Sequence, residues 1–259
     1  MEWWFVDGVV NDFGMFVTTL SLRVAELRAE INDSLASFPR TPEYFVKVGA
    51  LTRRAQALEQ EYQEAVENLP EHWLPHTVAW VDQVPGGDIT KAEVCPGRVD
   101  MFSDIWVAWT WNNVRIARLY ISGAILRCAA WICFPMDYRT TPEYATASKL
   151  CVDLVCDIIA SVPYHLGWRV GQSGALRSGD FEGFSFSDGN FSNPKALGGF
   201  FCMYPLLGIM CTDYITDSQR AWARGRLLFI SDVIGLNHAK VLASVGPPFL
   251  PHYPHQWYG

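Results

Sequence analysis

Asp157, Ser161 and His165 fall within "CDIIASVPYHLG" (156–167). An acid, a hydroxyl and an imidazole so close together are the materials of an orienter, a nucleophile and a base. Apolar spacing predicts a helix over 142–162, on which Asp157 and Ser161 stand one turn apart on one face. Pro163 then predicts the end of that helix, pushes Val162 toward an extended conformation and leaves His165 beyond the break. A serine nucleophile needs a strained turn or donors aimed at an oxyanion, and a regular final helical turn supplies neither. "GQSGA" (171–175) misses the nucleophile elbow because its second glycine directly follows Ser173. The expectation is therefore a helix terminus followed by Gly167, with no catalytic residues.

Other chemistries are tested the same way. The seven cysteines stand at 95, 128, 133, 151, 156, 202 and 211. Zinc sites use ligand pairs a few residues apart so that one turn aims two sulfurs at one ion, and this odd set contains no C-x-x-C. Buried thiols in a reducing compartment are expected, with no metal and no cofactor. His72 and His76 flank "WLP" in a link, His238 has no evident partner, and His252 and His255 stand in a proline-rich tail. The glycine-rich stretch lacks the G-K-[ST] ending and the preceding strand that phosphate cradling requires.

These residues need elements to hold them. Half of the 259 residues are apolar and only 18% are charged, a composition that predicts elements surrounded by other elements. The net charge of −7 gives no electrostatic footprint of a nucleic-acid binder. The start, "MEWWFVDGVV", has no basic region of a secretory signal, and without one the acceptor patterns at Asn32 and Asn190 are expected to be idle. "ALGGFFCMYPLLGIMCT" (196–212) is uncharged, but its proline, its glycines and its marginal length favour a buried core helix over a bilayer span.

Helical periodicity runs through 15–31, 41–69, 104–134, 142–162, 198–211 and 216–243, the last broken near Ser231 to Gly235. Thr41 with Pro42 makes a good helix start, and the charged outer face of 41–69 reads as plain solvation. Between Pro70 and "CPGRVD" lies a turn-rich link with little strand-like alternation. Between Gly167 and Gly198 lies a Gly-, Ser-, Asn- and Phe-rich segment longer than compact domains normally carry without structure, which is expected to be either functional or disordered. No internal repeat and no clear domain boundary are visible. The predicted fold is all-α: an irregular multi-helix bundle with a long Gly/Phe-rich loop, one domain over 1–245 and a Pro-rich tail over 246–259.

The apolar helix over 104–134 carries Arg115, Arg118 and Arg127. Burying guanidinium groups costs several kcal/mol unless acceptors meet them, so Arg115 and Arg118 are expected to pair with Asp153 and Asp157 of the helix 142–162. The alternative is that both arginines line an exposed stripe.

At these residues a family comes into view. Trp106, Ala108, Trp111, Asn112, Arg115, Arg118 and Leu119, followed by "DIIASVPYHLG" with its Pro163, "GGFFCMYPLLGIM" and "QRAWARGRLLFISDVIGLNHAKVLA", run in an order that resembles the C-terminal regulatory region of fungal transcription factors with a six-cysteine binuclear zinc cluster. The resemblance implies a helical regulatory region of a nuclear activator, often of a metabolic gene cluster, without catalytic residues. In that family the zinc cluster and a basic stretch precede this region and make the DNA contact; neither is present in this sequence, so the expectation is either a fragment or shortened gene product, or a cluster-less relative that does not bind DNA by itself. The resulting expectation is a transcription-regulator-like domain acting through protein partners of the transcription machinery, or a full-length zinc cluster factor, with a small-molecule effector that biases segment 168–197. A non-catalytic adaptor and an enzyme acting on an apolar metabolite are the alternatives, the enzyme disfavoured by the lack of D-D-x-x-D or H-E-x-x-H clusters.

Overall fold

A computed structural model describes residues 8–84, 87–170, 176–178 and 194–245. The chain is mostly helical, with α1 (Gly8–Ser37), α2 (Pro42–Glu67), α3 (Ile105–Cys133), α4 (Pro142–His165), α5 (Pro194–Met210), α6 (Asp217–Asp232) and α7 (His238–Ala243). Two antiparallel strand pairs accompany them: β1 (His76–Val81) with β2 (Gly97–Met101), and β3 (Trp168–Val170) with β4 (Leu176–Ser178). The all-α expectation holds. The Gly/Phe-rich loop and the Pro-rich tail lie largely outside the described residues.

The chain divides into two compact units. The first comprises Met1–Pro70 and Asn113–Leu154. Buried residues on α1 (Phe13, Val17, Leu20, Val24, Leu27, Ile31) alternate at steps of four and three, as do Val48, Leu51, Ala55, Leu58 and Tyr62 on α2. That is the seam of two helices packed along their lengths. The polar pairs beside it, Ser21 with Tyr62, Arg23 with Glu61 and Glu30 with Arg54, fall in opposite order on the two helices, so α1 and α2 are antiparallel. The α3 portion of this unit is met from several sides. Arg28 of α1 stacks on Tyr120, Phe45 of α2 packs against Trp131, and the Cys151 thiol of α4 bonds Ser122.

Among the described residues α3 is the helix long and apolar enough, by length and composition, to cross a membrane, and 56% of its most apolar stretch is buried inside the protein. The uncharged stretch 196–212 forms the shorter α5 instead. The same four residues open two helices: Thr41-Pro42-Glu43-Tyr44 begins α2 and Thr141-Pro142-Glu143-Tyr144 begins α4. Sequence reading saw no repeat, because the shared pattern is confined to these turns.

The second unit comprises Glu71–Asn112 and Val155–Gly259. The link after Pro70 contains a strand pair that composition did not predict. β1 lacks strict alternation of burial, its register shifts between Thr77 and Ala79, and fifteen residues separate it from β2. Helices α5, α6 and α7 pack together around Met203, Leu206, Ile209, Trp222, Leu227 and Ile230, all almost fully buried. Loop residues 90–92 lie on α6, where Trp222 Nε1 donates to the Ala92 carbonyl at 3.0 Å. A Cβ on Gly225 would stand 1.9 Å from the Thr90 carbonyl oxygen, so this backbone approach requires glycine.

Candidate functional site

Helix α4 continues through Pro163 to His165, which corrects the expected break at 162. Proline there removes one amide donor with only two helical residues left. The buried Val162 and Tyr164, the latter against the Phe102 ring, hold the turn in place. The helix then ends at Gly167, whose φ of 83° is left-handed, as a glycine terminator requires. Asp157, Ser161 and His165 thus follow one another at four-residue steps on one face of α4.

That face nevertheless builds no triad. Asn112, from the start of α3, stands between the other two groups: its Nδ2 donates to Ser161 Oγ at 3.0 Å and lies 3.0 Å from His165 Nε2. An amide nitrogen only donates, so with the amide in this orientation Nε2 is the acceptor. Ser161 donates back into its own helix, to the Ile158 carbonyl at 2.7 Å. Asn112, Ser161 and His165 are each at most 1% exposed. The serine proton is directed at a carbonyl, the imidazole lone pair at an amide, and both groups are buried. The arrangement is a hydrogen-bonded knot joining α3 to α4.

Asp157 is committed elsewhere. Arg98 of β2 donates to its Oδ1 at 2.5 Å and through Nε to Asp100 at 3.1 Å, while Thr77 of β1 donates to Asp100 at 2.9 Å. Burial works against the Arg98 cation, but hydrogen bonds and charge from both acids outweigh it and raise its pKa. The cluster pins the first strand pair to α4.

The arginines of α3 are inside rather than on an exposed stripe: Arg115 is 2% exposed and the Arg118 side chain 15%. The expected partner of Arg118 is corrected. Its Nε and Nη2 donate to Glu59 Oε1 of α2 at 2.8 and 2.6 Å, and Asp153 is exposed. Burial raises the Glu59 carboxyl above its usual range, and the Arg118 hydrogen bond and charge offset only part of this. Arg127 bonds Asn32 of α1. Glu59 escaped sequence reading because it sits in a helix whose charges looked uniformly solvated. In the sequence Asn112 stands out only as part of a motif, since nothing in its spacing reveals a partner 49 residues away.

The remaining motif residues also hold structure. Trp106 packs against Trp109 and Phe201, and Trp111 Nε1 donates to the Trp73 carbonyl at 2.6 Å. Cys95, Cys128, Cys151 and Cys202 are buried, and burial pushes the Cys95 thiol up to about 11 and that of Cys151 up to about 12, so neither is a thiolate at neutral pH. No group of His, Cys, Asp and Glu among the described residues has a metal-binding arrangement. A concavity of about 220 Å³ lies between α1 and α2, lined by Arg23, Glu26, Leu27, Arg54, Ala57 and Leu58. Its two guanidinium groups are already bound to Glu61 and Glu30.

No family model matches the chain, and no solved structure matches it. Over 250 residues it is 25% identical to transcription factor dbaG of Emericella nidulans, an alignment that takes in 92% of this chain and 56% of that protein. The chain thus spans about half the length of the curated relative it matches. Nearly all of its own length is similar to part of a fungal transcription factor.

Proposed function

We propose that this chain is the helical regulatory part of a fungal transcription regulator, working in the nucleus on a secondary-metabolite gene cluster. It acts through protein partners of the transcription machinery or a full-length zinc cluster factor and responds to a small-molecule effector; this stretch of chain itself makes no direct DNA contact. The carrying observation is the similarity to a transcription factor over 92% of the chain. Its buried polar groups support the same reading, since Asn112, Ser161 and His165 serve one another instead of facing a substrate. Deleting the gene in its host and sequencing the transcripts tests the proposal. The expected result is coordinated loss of a contiguous set of biosynthetic transcripts; an unchanged profile under conditions that express the gene rejects it.

A further inference from the structure

The chain contains two Thr-Pro pairs, Thr41-Pro42 and Thr141-Pro142, and no Ser-Pro. Both threonines precede a helix in the first unit, within the same Thr-Pro-Glu-Tyr sequence, yet their hydroxyls are placed differently. Thr141 Oγ1 donates to the Tyr138 carbonyl at 2.7 Å and accepts from the Tyr144 amide at 3.2 Å, on a half-buried residue. Thr41 is exposed, its backbone is extended (φ −114°, ψ 158°), and its side chain makes no capping hydrogen bond. The neighbouring Arg40 donates from Nη1 to the Trp131 carbonyl at 2.6 Å and lies over the Phe134 ring at 4.3 Å, at the end of α3.

We propose that Thr41 is a phosphorylation site for a proline-directed protein kinase, that Thr141 in the folded chain is not, and that the phosphate draws Arg40 away from the Trp131 carbonyl. In the transfer, Thr41 Oγ1 bonds the γ-phosphorus of ATP as the bond to the bridging β-phosphate oxygen breaks. ADP leaves with that electron pair, and the hydroxyl proton passes to the kinase's catalytic carboxylate. The product carries close to two negative charges beside a guanidinium whose fork matches phosphate oxygens. An uncommitted hydroxyl is available to a kinase, whereas that of Thr141 must first leave two hydrogen bonds. This inference is independent of any role in transcription.

The test treats the purified full-length chain with a proline-directed kinase and ATP and locates phosphate by mass spectrometry. A peptide of residues 136–147 runs in parallel to show that the kinase accepts the Thr141 sequence once unfolded. Phosphate is expected on Thr41 and not on Thr141 of the folded chain, absent in T41A and restored in T41S. No phosphate at Thr41, or equal labelling of Thr141 in the folded chain, overturns the assignment. Arg40 is tested by phosphorus NMR titration of the product. Pairing lowers the second ionisation of the phosphate below about 6, and R40Q is expected to raise it back. An unchanged midpoint in R40Q disproves the Arg40 contact.

Discussion

Asn112 shows how a residue with no chemistry of its own ties up two that have it. Its amide offers two protons, one to Ser161 and one toward His165, and both acceptors are buried. Asn112→Leu keeps the volume but removes both donors, so His165 Nε2 loses its donor inside the protein. The expected cost is about 2–3 kcal/mol, read as a lower midpoint in urea. Ser161→Ala removes a hydroxyl while Asn112 still serves His165, and about 1 kcal/mol is expected. A loss for S161A as large as that for N112L would show that the knot is organised around the serine instead. Glu59 supplies the pH dependence. Because burial raises its carboxyl from 4.5, the folded chain keeps this proton to higher pH than the unfolded chain. Its contribution is therefore full below pH 4.5 and is lost as pH rises through the folded-state value. Glu59→Gln, neutral throughout, should flatten that part of the stability profile; parallel wild-type and E59Q curves would contradict it.

At the scale of elements, glycines separate helices that merely contain them from helices packed through them. A Cβ on Gly198 of α5 would lie 1.8 Å from the His165 carbonyl oxygen, whereas one on Gly123 of α3 would meet nothing within 4 Å. Gly198→Ala must push α5 off the end of α4 and should cost more than about 3 kcal/mol, whereas Gly123→Ala should stabilise by about 0.5–1 kcal/mol through helix propensity. Thermal melts of the two variants shifting in the same direction would refute the contrast. These placements also show what sequence could convey. The long helices were legible because their buried positions recur at helical steps, as from Phe13 to Ile31. The pair β1 and β2 was not, since a strand with most of its residues exposed carries no period-two signal. Pro163 misled for a local reason: a proline near a helix end reads as a stop, while tertiary packing of Val162 and Tyr164 decides where the helix finishes. The site was legible in its residue types but not in its pairings. Arg118 was expected to meet an acid on α4 and meets one on α2, a choice that depends on side-chain reach in space.

At the scale of the whole molecule, charge decides what the chain can hold on its own. It has 20 Lys and Arg against 27 Asp and Glu, and many of its cations are already committed within it. Arg23, Arg54, Arg98, Arg118 and Arg139 bind carboxylates, Lys47 and Lys91 do the same, and Arg220 caps the end of α5 through the Met210 and Thr212 carbonyls. Non-specific DNA affinity arises from cations that neutralise phosphates and release counterions, and it reaches dissociation constants of about 10⁻⁴–10⁻⁶ M only when several such contacts form together. A chain of net charge −7 with these cations already committed offers too few. The purified chain is therefore expected not to retard a random duplex in gel-shift or anisotropy titrations at near-physiological salt up to about 10⁻⁵ M protein. Lowering the salt to about 50 mM should not reveal the steep log-affinity against log-salt line of a phosphate-tracking protein. Micromolar binding with such a slope would mean that these ion pairs open to receive DNA, and the proposed reliance on partner proteins for promoter contact would fall with them.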